Sequence, residues 1–346
     1  VDESFDAAHA YFLEGRLADA AAVYRRIVEA DPGHARAHVM LALALLAEGR
    51  YEEGWREFEW RIDAAFRAAR AMDKLPLWDG RPLAGRRILL HAEQGFGDNI
   101  QFVRYAPLVA ARGGRVVVFC LKELKRLFAS VAGAVEVLGE GDDVRDVRFQ
   151  APFMSLPRIF GTAVDTIPRT VPYLRAEAGR VARWRRRLGG GKLKVGLCWA
   201  SNPENPVSRQ RDATLADLEP VLGVAGARFF SLQLGSAREA LSSSGHEGRV
   251  LDLGADVEAS ADGFSEAAAI MDCLDLVVSV DTAAVHLAGA LGRPCWLALP
   301  FACDWRWLRG RDDSPWYPTA RLFRQPAPGA WGPVFEAMAE ELAARA

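Results

Sequence analysis

The chain has 346 residues, too many for one ordinary hydrophobic core, so two or three domains are expected. Half of the residues are hydrophobic and a quarter are charged, and 43 basic residues against 45 acidic ones give a formal charge of −2. That balance argues against a general nucleic-acid or membrane-surface role, and the longest apolar run, Val39 to Ala47, is far too short to span a bilayer.

The N-terminus repeats. "AHAYFLEGRLADAAAVY" at 8–24 aligns with "ALALLAEGRYEEGWREF" at 42–58, a shift of 34 residues that matches Ala8 to Ala42, Gly15 to Gly49, Ala20 to Gly54 and Tyr24 to Phe58. Small residues let paired helices approach closely, and the aromatic fills the hole in the next pair. This period resembles tetratricopeptide repeats. Two such units are few, which implies further repeats upstream or capping by the domain that follows. The chain begins with Val, as a segment from inside a longer protein would. His34 and His38 lie four apart but have no third ligand nearby, so they read as part of a solvated helix face rather than a metal pair.

The pattern changes near residue 74. "RILLHAE" reads as a buried strand, "NIQFVRYAPLVAARGG" as a helix kinked or broken at Pro107, and "RVVVFC" as a second strand: a β-α-β unit, hence a parallel sheet. "TIPRTVPYL" (166–174) reads as a linker. "KLKVGLCWA", "ARFFSLQL", "GRVLDLG", "CLDLVVSV" and "RPCWLALP" then read as strands, with "TLADLEPVLGV", "SEAAAIMDC" and "AAVHLAGALG" as helices between them. Two Rossmann-like α/β lobes would place a ligand cleft between them. "VFEAMAEELAAR" is an amphipathic C-terminal helix expected to pack back on a lobe.

Two strand-to-helix junctions could carry chemistry. In "SVDTAAVHLAGALGRP" (279–294) the helix starting near Ala283 points unpaired N–H groups at the cleft, which stabilises a phosphate, and Ala283 and Ala284 leave room for close approach. His286 would lie about one turn inside. The competing reading makes Asp281 the helix cap and His286 a satisfied core histidine. In "EQGFGD" (93–98), Gly95 and Gly97 permit a tight turn, and Asp98 either caps the helix or projects into the cleft as a general base. This is no dinucleotide fingerprint, because Ile100 stands where a third glycine is needed. Gln233, at another strand end, is placed to hydrogen-bond a base, and Asp262 or Glu266 to hold a ribose, although both acids also suit ordinary helix caps. "DWRWLRGRDDSPWYP" (304–318) reads either as tryptophans stacked on arginines in a lobe-closing loop or as a pocket wall.

The five cysteines (120, 198, 273, 295 and 303) form no C-x-x-C pair and read as buried, reduced thiols of a cytoplasmic protein. No signal peptide is visible. Only five basic residues are Lys, and the abundant Arg reads as codon bias or as a stock of phosphate-binding forks.

The motifs "EQGFGDNIQFVRY", "GLCWA", "DTAAVHLAGALGRP", "DWRWL", "DSPWYP" and "RLFRQ" together resemble bacterial proteins that join tetratricopeptide repeats to a heptosyltransferase-like glycosyltransferase domain of GT-B fold. The architecture is also similar to that of protein O-GlcNAc transferases. The resemblance implies repeats over 1–70, an acceptor-side lobe over 75–172 and a nucleotide-sugar lobe over 173–346. It implies an inverting transfer with Asp98 as the base, Asp281, Thr282, Ala283, Ala284 and His286 as the donor-phosphate segment and Arg211 as a basic residue for the donor phosphates; with Gly97 and Gln233, read from their own positions, these make up the expected donor side, and Asp98 and His286 the expected catalytic pair. Ala283 stands where the family often has Gly, and Asp212 follows Arg211 where the subgroup commonly has Ser; an acid there would weaken a phosphate site. No Asp-x-Asp triplet occurs, which fits leaving-group stabilisation by protein groups, with no metal or other cofactor. The expected partners are a nucleotide sugar and a protein acceptor held by the repeats, flagellin being one candidate. Transfer to a lipopolysaccharide or other glycan, and a non-catalytic scaffold, are the alternatives.

Overall fold

The computed structural model describes residues 2–62, 75–201, 210–243, 245–246 and 248–346. The expected boundary near residue 70 and the two residues 208–209 of "SRQRDAT" lie outside the described residues.

Among the described residues, the N-terminal segment holds α1 (Asp2–Leu13), α2 (Leu17–Ala30), α3 (Ala35–Ala47) and α4 (Tyr51–Phe58). The repeat is visible in its turns. Gly15 and Gly49 hold equivalent left-handed positions, with φ of +76° and +77°, which a side chain would strain. Ala8, Ala20 and Ala42 are fully buried, as helix crossings require. Tyr24 fills the first pair and meets Phe5 edge-on at 5.3 Å. The two histidines do not form a solvated face. His34 caps α3 by accepting from the Ala37 N–H at 3.1 Å, while His38 is buried, bonded to Glu57 and stacked on Trp60 at 4.0 Å.

The first lobe is a parallel sheet of β1 (Arg87–His91), β2 (Arg115–Phe119), β3 (Ala134–Leu138) and β4 (Val147–Pro152), in the order β3-β2-β1-β4. The second is a parallel sheet of β5 (Leu193–Cys198), β6 (Ala227–Ser231), β7 (Val250–Asp252), β8 (Leu276–Val280), β9 (Cys295–Leu299) and β10 (Ala320–Arg324), in the order β10-β9-β8-β5-β6-β7. The strands β3, β4 and β10 were not legible in the sequence. "TLADLEPVLGV" is a run of turns with one helical turn, Glu219–Leu222, rather than a full helix, because Thr214 and Asp217 bond each other's backbone in a local turn.

The order of each sheet changes direction at one place. β1 has β4 on one side and β2 on the other; β5 has β8 on one side and β6 on the other. Such switch points open a crevice at the carboxyl ends of the strands. From β1 the chain enters α5 (Phe96–Phe102), passes through a 3₁₀ turn at 103–105, and restarts as α6 (Ala106–Ala111) with Pro107 in its first turn, where a missing N–H costs nothing. The second lobe adds α7 (Ala178–Leu188), α8 (Gly263–Asp272), α9 (Ala283–Ala290) directly after β8, and α10 (Gly332–Ala343). The core of α10, built from Val334, Phe335, Met338 and Leu342, packs into the second lobe.

The 166–174 segment is pinned rather than free: the N–H groups of Tyr173 and Leu174 both donate to the Ala290 carbonyl at the end of α9. The cysteines are free thiols, four buried and Cys303 half-buried.

Candidate active site

The two lobes meet where α5 of the first touches α9 of the second. A Cβ built on Gly97 would lie 2.7 Å from the His286 ring, so only glycine lets the helices approach this closely. Just before it, Gln94 takes φ +53°, a left-handed conformation uncommon outside glycine, asparagine and aspartate. The tight turn expected from "EQGFGD" is therefore present, with part of its strain on a non-glycine residue.

Asp98 both caps and faces the junction. Its Oδ2 accepts from the Gly95 N–H at 3.0 Å, and its Oδ1 accepts from Arg306 of the second lobe. Burial pushes the Asp98 carboxyl above the usual carboxylate range; Arg306 pulls it down, and Asp304 pushes it up again. Asn99 ties the same turn together by donating to the carbonyls of Glu93 and Gly95.

Across the junction, Thr282 rather than Asp281 caps α9, accepting from the Ala284 N–H at 3.2 Å. Asp281 has turned away from the cap. It is buried, 3.5 Å from Arg211 and 3.9 Å from His286 Nε2. Burial raises the Asp281 carboxyl, Asp304 adds to that, and Arg211 opposes it. Ala283 and Ala284 form the first turn of α9, half-buried.

His286 is buried with Nδ1 at 2.9 Å from the Tyr317 hydroxyl and its ring stacked on Trp307. Burial lowers its pKa well below 6.5, and Arg306, Arg104 and Arg211 push in the same direction. His286 is therefore neutral at pH 7 and adds no positive charge toward a phosphate.

Arg211 lies 3.5 Å from Asp281, and its Nε is buried without a hydrogen-bond partner. Asp212 does not face it. Its carboxylate accepts from the Ser201 N–H at 2.8 Å and from the Ser201 hydroxyl at 2.6 Å, fixing the loop after β5. Gln233 is spent on backbone: its oxygen accepts from Trp199 and Ala200, and its amide donates to Ala200 and Leu234. No donor or acceptor of that side chain is left for a base. Asp262 and Glu266 are likewise paired, Asp262 with Arg126 and Arg180, Glu266 with Arg180, Arg183 and the Trp184 indole.

The sequence pointed to 304–318 as a lobe-closing loop or pocket wall without singling out Asp304, Arg306 or Tyr317 within it, and gave no sign of Arg104 in the first lobe. Arg104 is buried and donates to the Trp316 carbonyl at 2.7 Å and to the Tyr173 hydroxyl at 2.9 Å, with its charge over the Tyr317 ring. The signal was the density of Trp and Arg in 304–318, which did not reveal which arginine crosses to the other lobe.

A hollow of about 930 Å³ lies on the first-lobe side. Ala92, Glu93 and Gln94 line it beside Phe119, and its rim carries Glu123, Glu140, Asp142, Asp143 and Asp146 together with Lys122; Asp142 is paired with Lys125 and Asp143 with Arg145, and the balance is acidic. Among the described residues, no group of three or more His, Cys, Asp or Glu side chains is placed to hold a metal ion, and no helix is long and apolar enough to cross a membrane.

Two parallel-sheet lobes that meet at paired strand-to-helix junctions give the architecture of the GT-B fold. Comparison with known proteins agrees. Residues 11–54 match the tetratricopeptide repeat, and residues 261–298 match glycosyltransferase family 9 (heptosyltransferase). Protein FlbA of Caulobacter vibrioides is 31% identical over 365 aligned residues, covering 95% of this chain and 58% of the relative. The chain thus spans under two thirds of that relative's length. In fold it is similar to the ADP-heptose lps heptosyltransferase II of E. coli (15% identity, TM-score 0.50, 75% of this chain and 98% of that one). It is also similar to the family 9 glycosyl transferase of Veillonella parvula (10% identity, TM-score 0.54, 78% of this chain and all of that one). The chain thus carries one stretch that matches the tetratricopeptide repeat and another that matches glycosyltransferase family 9, on a fold similar to that of solved heptosyltransferases.

Proposed function

We propose that the chain moves a sugar, with inversion and without a metal, from a nucleotide-activated donor to a protein acceptor engaged by the repeats. The carrying observation is that the turn bearing Asp98 packs against α9 through Gly97 and His286, with Arg211 close enough to act on the Asp98 carboxylate. Asp98 takes the proton of an acceptor hydroxyl as that oxygen bonds the anomeric carbon. The bond from that carbon to the donor phosphate breaks, and the nucleotide leaves with the electron pair. The α9 N–H groups and Arg211 stabilise the charge that develops on it.

The acidic rim of the first-lobe hollow favours a polypeptide over a phosphorylated or carboxylated glycan, which those carboxylates would repel. Flagellin remains a candidate acceptor. A scaffold without activity would need a disabled donor site, and Asp212, the residue that suggested one, is turned to Ser201.

The test is thermal-shift screening against UDP-, GDP-, ADP- and CMP-sugars, ADP-heptose among them, followed by nucleotide release with and without chelator. A ligand at a hundred times its Kd stabilises by about 2.7 kcal/mol, a readily measured shift. One nucleotide class should stabilise the chain and be released in the presence of chelator. A chain that binds none of them is no transferase, and release abolished by chelator overturns the metal-free mechanism.

A further inference from the structure

Arg306 belongs to the tryptophan-rich loop of the second lobe, yet its guanidinium ends among first-lobe groups. It donates to Asp98 Oδ1, and its Nε donates to Gln101 Oε1 at 2.5 Å. A further nitrogen meets Asp304 Oδ1 at 2.9 Å. The Trp305 ring lies 4.4 Å from the guanidinium carbon. Arg306 is only 7% exposed, so this planar fork has little freedom to choose other partners. The second Asp98 oxygen is already fixed by the Gly95 N–H. One carboxylate oxygen is thus set by its own loop and the other by the opposite lobe.

We propose that Arg306 is the positioning residue of the Asp98 carboxylate, supplied across the lobe junction and shared with Asp304, so that the base is oriented by a group of the opposite lobe. This rests on the reading of Asp98 as the base. The charged groups that face Asp98 are Arg306 and Asp304 from the loop after β9 and Arg211 from the loop after β5; Asp281 acts on it through Arg306. Across Gly97, His286 of α9 is neutral. A buried carboxyl left alone holds its proton and cannot accept another. Arg306 opposes that outcome, and Asp304, of like charge, reinforces it. Removing the two charges therefore moves the titration of Asp98 in opposite directions, which a merely structural brace would not do.

The experiment is carboxyl ¹³C NMR on the full chain labelled at aspartate, with the Asp98 signal assigned by its loss in Asp98→Asn. Arg306→Gln should raise the Asp98 midpoint by about one pH unit or more, and Arg306→Lys by less. Asp304→Asn should lower it. If Arg306→Gln fails to fold, the Lys variant and Asp304→Asn decide the matter. An Asp98 midpoint that is the same in both, or that moves in the same direction in both, overturns the proposal. Turnover of Asp98→Asn is a separate measurement: normal turnover would remove the base reading, whatever the titration shows.

Discussion

His286 carries no charge near pH 7, so its contribution is a neutral ring held by Tyr317 and Trp307. Because its folded pKa lies below the unfolded value near 6.5, the unfolded chain binds the proton more tightly. Stability from this group is therefore full above pH 6.5 and falls as acid is added toward the folded pKa. His286→Gln should flatten the loss of melting temperature between pH 7.5 and 5.5, an effect worth about 1 kcal/mol. An unchanged slope would mean that other groups govern acid sensitivity. Asp98 runs the other way: its raised carboxyl costs stability at neutral pH, a cost relieved as pH falls through the raised value. Asp98→Asn keeps the shape, and Arg306 retains Asp304, so the melting point at pH 7 should hold within a few degrees. Turnover should fall by roughly 10²–10⁴, with donor affinity nearly constant. Lost binding with a lowered melting point would make Asp98 structural. Arg211→Ala should weaken donor binding by about tenfold to a hundredfold, as expected for a charge-assisted contact of roughly 1.5–3 kcal/mol, read by titration against the nucleotide found in the screen.

At the scale of elements, the contact between α5 and α9 decides whether the site assembles. Gly97→Ala places a methyl 2.7 Å from a ring that cannot yield, because Tyr317 and Trp307 hold it. The helices must separate, which should cost about 1–3 kcal/mol and lengthen the Asp98–Arg306 contact. A loss of turnover larger than the loss of stability is expected, measured by melting beside donor turnover; normal turnover would show that the contact has slack. Both junctions were legible in the sequence because each is short: an apolar strand runs directly into a helix through Gly or Asp-Thr. The repeats were legible because their period and turn glycines are local. What was not legible depends on distance. Asp281 looked like the cap, and Thr282 took that place because Asp281 found Arg211 from another loop. Gln233 looked free at a strand end, but the backbone after β5 absorbs it. Arg306 was one of several arginines until the fold set it against Asp98. The strands β3, β4 and β10 carry exposed positions and weak alternation, so their pattern does not stand out from loop.

At the scale of the whole molecule, the repeats and the transferase lobes share one core. Tyr51, Trp55 and Phe58 of α4 belong to the same buried cluster as both lobes, which answers how so few repeats are covered. The Trp55 indole donates to the Thr162 carbonyl of the first lobe at 3.0 Å, and its ring meets Trp305 of the second at 5.1 Å. Arg61, just beyond α4, reaches Glu93 at 2.9 Å and Ser155 at 2.8 Å, two residues of the first lobe. The repeats therefore brace the turn that carries Asp98 and the loop that carries Arg306, besides any role with an acceptor. Removing residues 1–62 would uncover Trp305 and Trp316, so the truncated chain should be insoluble or fail to bind nucleotide, and it cannot serve as a clean test of acceptor binding. The sharper experiment is Trp55→Ala. Trp55 is 2% exposed, and emptying such a site typically costs about 3–5 kcal/mol. Trp55→Phe keeps most of the ring but leaves the Thr162 carbonyl without its donor, for about 1–3 kcal/mol. If the brace reading is right, both variants should lower donor turnover even at a temperature where each is fully folded, with the Ala variant lower. The checks are circular dichroism for folding and nucleotide release for turnover, on the same samples. Folded variants that turn over donor at the original rate would leave the repeats as a docked neighbour with no hold on the site.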